Sequence, residues 1–168
     1  MIIDIANPAD VEIFRDAVKG KTVGLTSGCW DLFHHLHLVY LQRCRRMCDI
    51  LIVGVDSDDL VKKDKGPHRP IIPEHQRVAM VNSQTCVHMA FIMGSVADFG
   101  KTVESFGIDV IFKNNAFEHE KVAGSEHARV EIVHDINQPD STSAIIDEII
   151  RRGIQSRGQN PSKTDGKT

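Results

Sequence analysis

The chain has 168 residues, 41% hydrophobic and 26% charged, with 20 lysines and arginines against 23 aspartates and glutamates and a net charge of -3. That size and balance suit one α/β domain with a core of its own and exclude a globally basic nucleic-acid binder, so any anion site must be local. No signal peptide or long apolar span is visible, so no membrane partner is expected and the cytoplasm is the expected compartment.

The elements alternate along the chain. Ala9 to Lys19 reads as a helix, with Val11, Phe14, Ala17 and Val18 at helical spacing, and Thr22 to Thr26 as a first strand. Leu38 to Cys48 reads as the next helix, and the continuous apolar run Ile50 to Val55 as a strand buried on both faces. A basic, glycine-bearing loop leads to a helix starting near Pro73. Cys86 to Met93 reads as a strand, Val96 to Phe106 as a helix, Asp109 to Lys113 and Val130 to Val133 as strands. Ser141 to Arg152 is the expected last helix, with Ile145, Ile146, Ile149 and Ile150 as its buried stripe, and 153–168 the expected disordered polar tail. This alternation predicts a doubly wound, Rossmann-like parallel sheet of about five strands in a single domain, 1–152.

Ligands of such sheets bind beyond the carboxyl ends of the strands. The loops at Gly28, at Asp56-Ser57-Asp58 and at Lys113-Asn114-Asn115 should therefore converge. In the first, His34 and His37 stand together at the start of a helix, where free N–H groups and the helix dipole attract phosphate. In the second, Lys62 and Lys65 are spaced to close over a triphosphate as point charges, and Arg69 adds a planar fork for phosphate oxygens. Ser141, Thr142 and Ser143 open the last helix, where hydroxyls cap free N–H groups. The four cysteines, Cys29, Cys44, Cys48 and Cys86, lack metal-like spacing, and no metal site is expected. A P-loop is excluded, because Gly94 stands one residue too far before Gly100-Lys101-Thr102.

The segment Thr26-Ser27-Gly28-Cys29-Trp30-Asp31-Leu32-Phe33-His34-His35-Leu36-His37 resembles the T-x-G-C-F-D-L-x-H-x-G-H signature of the cytidylyltransferase-like nucleotidyltransferases. Val55 to Ile71 resembles V-N-S-D-x-x-V-K-x-x-K-G-x-x-R-P-I of the heptose-1-phosphate adenylyltransferases, as does Val122-Ala123-Gly124-Ser125-Glu126. The resemblance spans about Lys19 to Arg152. It departs at Leu36, where the signature has glycine, at Trp30, where it has phenylalanine, and at Asn114-Asn115-Ala116, where relatives read G-G-D. Ile136 stands where the glycerol-3-phosphate cytidylyltransferases have arginine.

The resemblance implies a nucleotidyltransferase that joins an NTP, ATP first, to a sugar phosphate such as heptose 1-phosphate and releases pyrophosphate, with Mg²⁺ accompanying the NTP. Catalytic roles fall on His34, His37, Lys62 and Lys65. Nucleotide contacts fall on Thr26, Gly28, Cys29, Trp30, Asp56, Arg69, Arg77, Lys113, Asn115, Ser141, Thr142 and Ser143. The alternatives are a cytidylyltransferase acting on a polyol or amino-alcohol phosphate, and a nucleotide-binding protein without catalysis, a reading that Leu36 and Asn114-Asn115-Ala116 would favour. The expected partners are the NTP and a phosphorylated small molecule, with no nucleic acid; a homodimer is left open. If the signature's glycine lets the nucleotide approach the backbone, the Leu36 side chain must point away or crowd the ligand, and inward packing is the expectation.

Overall fold

A computed structural model of the chain describes residues 7–114, 122–134 and 141–158. It separates into two compact units, Met1–Ile136 and Asn137–Thr168. The first holds α1 (Pro8–Ala17), β1 (Val23–Gly28), α2 (His35–Arg45), β2 (Ile50–Asp56), α3 (Asp58–Lys65), α4 (Glu74–Asn82), β3 (Met89–Met93), α5 (Val96–Phe106), β4 (Val110–Lys113) and β5 (Arg129–Ile132). The strands pair in parallel in the order β3-β2-β1-β4-β5, so the expected doubly wound sheet is present.

The helix α3 occupies the first part of the expected basic, glycine-bearing loop. Its ends follow ordinary capping chemistry: the Ser57 hydroxyl accepts from Leu60 N–H at 3.2 Å, and Asp58 and Asp59 occupy the first turn. Lys62, Lys63 and Lys65 fill the last turn, and Gly66, at φ +91°, ends it in a conformation open to glycine. The charge run Asp58 to Lys65 is therefore a helix with its charges sorted along the dipole.

Side chains of the strands alternate between two cores, which separates the helices into two layers. Leu25, Ile52 and Ile111 point into one core with Phe14 of α1 and Phe99, Val103 and Phe106 of α5. Val53, Val55, Val110 and Phe112 point into the other with Leu41 and Cys44 of α2 and Val81 of α4. Each fully buried Val, Leu, Ile or Phe contributes about 1.5–3 kcal/mol relative to exposure. Gly24 lies where the second core is tightest: a Cβ there would stand 2.5 Å from the Phe112 ring and 2.8 Å from the Cys48 sulfur. Cys44, Cys48 and Cys86 are buried free thiols, and burial pushes Cys48 up to about 11.

The chain crosses from one side of β1 to the other between β3 and β4, which makes the β1–β4 boundary the topological switch point. In the second unit, α6 (Thr142–Gly158) continues past Arg152, where the sequence reading ends it. Its expected buried stripe is not buried at Ile149 and Ile150, which are 61% and 55% exposed. A single helix has no second layer of its own on which to bury a face. The rest of the expected tail lies outside the described residues.

Candidate active site

The loop after β1 is built on strain held by buried charge. Trp30 and Leu32 adopt φ of +54° and +46°, which costs non-glycine residues about 1–3 kcal/mol each. Trp30 folds back under Gly28, where a Cβ would meet its ring at 3.2 Å, and its indole N–H donates to the Gly54 carbonyl at 3.0 Å. The ring is buried in the α2-side core, so the expected nucleotide contact of Trp30 gives way to a structural role. Gly28 likewise makes room for Trp30.

Asp31 ties this loop to the segment before α4. Its carboxylate accepts from Arg69 Nε, Ile71 N–H and Ile72 N–H, each at 2.9 Å, and from Leu32 N–H at 3.1 Å. Burial alone would raise its pKa, but these donors outweigh it and hold the carboxyl below its usual range. Arg77 is 1% exposed. Its guanidinium donates to the Ile72 carbonyl at 2.8 Å, to the Cys29 carbonyl and to Asp58 Oδ1 at 2.7 Å. The expected nucleotide contact at Arg77 is therefore corrected: it clamps the β1 loop to the start of α3. Glu74 completes the clamp, accepting from Asp58 N–H at 2.6 Å. Arg69, mostly buried on Asp31, directs its Nε to the same support.

Above this floor stand the two histidines. His34 is the N-cap of α2 and His37 lies in its first turn, with ring centroids 3.9 Å apart. His34 N–H donates to His37 Nδ1 at 3.4 Å. That bond needs a lone pair on Nδ1, which places the neutral ring's proton on Nε2. Burial, then the neighbouring His34 and the charge of Lys65, lowers the His37 pKa to about 4. His37 is thus a neutral N–H donor near pH 7. Trp30 meets the His37 ring edge-on at 5.4 Å and fixes its orientation.

The two lysines part company. Lys62 pairs with Asp59 at 3.3 Å on the exposed side of α3. Lys65 is near enough for its charge to bear on Cys29, His37 and Asp56. Cys29 is half-buried, and burial raises its thiol pKa, which leaves it a protonated neighbour of the site.

Asp56 ends β2 and Lys113 ends β4. Lys113 Nζ donates to Ser27 Oγ at 3.0 Å across the β1–β4 boundary and lies 4.2 Å from the centre of the Phe99 ring. Burial lowers the Lys113 pKa to about 8 against the pull of Asp56, and burial raises that of Asp56 against the pull of Lys113. Thr26 is wholly buried; its hydroxyl shares a hydrogen bond with Tyr40 Oη at 3.0 Å and donates to the Phe112 carbonyl, so its side chain is structural instead of nucleotide-facing.

Ser141 caps α6 through Ala144 N–H at 3.1 Å, and Thr142 and Ser143 open that helix in the second unit. Asn115 lies outside the described residues. Leu36 is half-buried and belongs to neither core nor its border, so the inward packing expected of it is not met. It lies in the first turn of α2. Sequence reasoning missed Asp31 and Ser27 as site residues. An acidic residue amid apolar ones at 30–33 was the available signal for Asp31.

The cytidylyltransferase-like family model matches residues 25–148. The chain is 33% identical over 141 residues to the bifunctional protein HldE of Helicobacter pylori strain P12, covering 84% of this chain and 30% of that protein. It is 35% identical to HldE of Helicobacter hepaticus over 84% of this chain and 29% of that one. It thus spans about three tenths of the length of these curated relatives. Among solved structures, a lipopolysaccharide core biosynthesis protein from Thermoplasma volcanium is 26% identical with a TM-score of 0.59, covering 71% of this chain and 99% of that one. A pantoate-beta-alanine ligase from Francisella tularensis shares the fold at 11% identity and a TM-score of 0.54, over 90% of this chain and 79% of that one. No described helix is long and apolar enough to cross a membrane. With the motif, the sheet order and the family match in agreement, the chain belongs to the cytidylyltransferase-like family of nucleotidyltransferases.

Proposed function

We propose that the chain transfers a nucleotidyl group from an NTP, ATP first, to the phosphate of a phosphorylated sugar and releases pyrophosphate. The observation that carries the reading is the pair of imidazoles, 3.9 Å apart, set on the N-terminus of α2. A phosphate there meets backbone N–H groups, the positive end of the helix dipole and the His37 Nε2–H. An oxygen of the acceptor phosphate attacks the α-phosphorus in line; the bond to the bridging oxygen breaks, and pyrophosphate leaves with the electron pair. The acceptor phosphate is already ionised, so no general base is required. Rate enhancement comes from positioning and from stabilising charge on the transferring group, by His34, His37 and Lys65.

Mg²⁺ enters this scheme with the NTP, whose phosphates supply ligands to it. Among the described residues no group of three His, Cys, Asp or Glu side chains is arranged to hold a metal ion. The sugar-phosphate preference leans on the HldE relatives and on the Val55 to Ile71 segment. Cytidylyl transfer to a polyol phosphate is the runner-up. The test is pyrophosphate release from ATP, CTP, GTP and UTP, each with Mg²⁺ and with heptose 1-phosphate, mannose 1-phosphate or glycerol 3-phosphate. ATP with a sugar 1-phosphate should be the fastest pair. Release that depends on no acceptor, or tight NTP binding with no release from any pair, would overturn the reading.

A further inference from the structure

The crest of the sheet has two sides. Along β1, Leu25 points into the α1–α5 core and Thr26 toward Tyr40 of α2, so Ser27 returns to the α5 side. The same alternation runs through Ile52, Val53 and Val55 to Asp56, and through Ile111 and Phe112 to Lys113. Ser27, Asp56 and Lys113 are thus neighbours on three adjacent strands, at their carboxyl ends, facing α5. His34 and His37 rise from the opposite side, over α2.

We propose that Ser27, Asp56 and Lys113 form the acceptor subsite, in which Asp56 accepts hydrogen bonds from the hydroxyls of a sugar phosphate. The inference rests on the nucleotidyl-transfer reading above. In-line displacement puts the attacking and leaving oxygens on opposite sides of the α-phosphorus. With pyrophosphate held over the histidine side, the acceptor arrives from the side of Asp56. The charge of Lys65 bears on both His37 and Asp56.

The chemistry of the subsite selects its ligand. A carboxylate repels phosphate and accepts from hydroxyls, of which a sugar offers several. No hydrogen bond to the Asp56 side chain is present among the described residues, so its oxygens have capacity for a ligand, and the residue is half-buried, within reach of one. Lys113, 8% exposed, is the positioning residue: its charge favours the ionised form of Asp56 against burial, and its bond to Ser27 holds the pair in line across the switch point.

The test compares wild type with Asp56→Asn, close in shape and uncharged, and with Lys113→Met. Binding of mannose 1-phosphate and of 2-deoxyglucose 1-phosphate is followed by saturation-transfer NMR in the presence of Mg²⁺ and a non-hydrolysable ATP analogue, and pyrophosphate release is measured alongside. Asp56→Asn should weaken mannose 1-phosphate binding, and raise its KM, by about tenfold or more with the KM for NTP unchanged. The loss should be smaller for the 2-deoxy sugar. Lys113→Met should raise the acceptor KM and leave that for NTP in place. Weaker NTP binding with unaltered acceptor binding would overturn the proposal and give Asp56 to the nucleotide. So would a wild type that binds neither sugar phosphate. Acceptor binding that depends on Asp56 without any pyrophosphate release would support the subsite and sink the transfer reaction. Release that is indifferent to Asp56→Asn would do the reverse.

Discussion

Asp31 and His37 sit in one turn of chain, yet they belong to different regions of the molecule. Asp31, with Arg69 and Arg77, forms a floor in which buried charge is directed to backbone groups and to partner side chains. His34, His37 and Lys65 form a rim over it, at a helix start and at the exposed end of a second helix. A buried ion pair broken on one side leaves an uncompensated charge, whereas a rim group contributes little to folding. The floor should therefore answer to stability measurements and the rim to kinetics. The strained φ angles of Trp30 and Leu32 lie between the two, held by the floor and aiming the rim.

The largest effect should come from the floor. Asp31→Ala and Arg77→Ala should each lower stability by about 3–5 kcal/mol in denaturant titrations, because each leaves buried partners unpaired. A stable, fully folded Arg77→Ala enzyme that has lost only nucleotide affinity would break the comparison. The rim should behave oppositely. His34→Ala and His37→Ala should lower kcat about a hundredfold or more with thermal midpoints near wild type. Within α3, Lys65→Ala should lower kcat/KM by about tenfold, and Lys62→Ala, on the Asp59 side, should change little.

A pH experiment sharpens the same division. His37 has its folded pKa lowered from 6.5 to about 4, so the unfolded chain takes up its proton first as pH falls. Its contribution to stability is complete above about pH 6.5 and is lost progressively toward pH 4. Thermal midpoints of wild type should fall across that window more steeply than those of His37→Gln. Parallel curves would mean that His37 is not held neutral. The smallest effect concerns Leu36. Leu36→Gly should cost about 1 kcal/mol from backbone freedom in the first turn of α2, with no gain in rate. An inert wild type rescued by this change would instead mark Leu36 as a block in the site.

The parallel sheet was legible because Ile50 to Val55 is an uninterrupted apolar run and because strands and helices alternate after it. The His34–His37 pair was legible because its position depends only on local spacing at one helix start. Charged motif residues were not sorted so easily. Arg77 and Lys62 stand in the same kind of motif as Lys65, and only the folded chain shows that Arg77 turns inward to the Cys29 carbonyl while Lys62 turns to Asp59. The helix α3 was missed although Ser57, the two aspartates and Gly66 spell its ends, because a run of charge was weighed above its caps. Asp31 escaped notice because its partners, Arg69, Ile71 and Ile72, are distant in sequence.

The central claim is a single in-line transfer between two sides of one sheet crest. Its most direct test is the stereochemical course at the α-phosphorus, followed by ³¹P NMR with an NTP bearing one sulfur on that phosphorus, Mg²⁺ and a sugar 1-phosphate. One displacement by the acceptor inverts the centre, and the product should carry the inverted configuration alone. Retention would require a nucleotidyl group first attached to the protein, and would contradict the account.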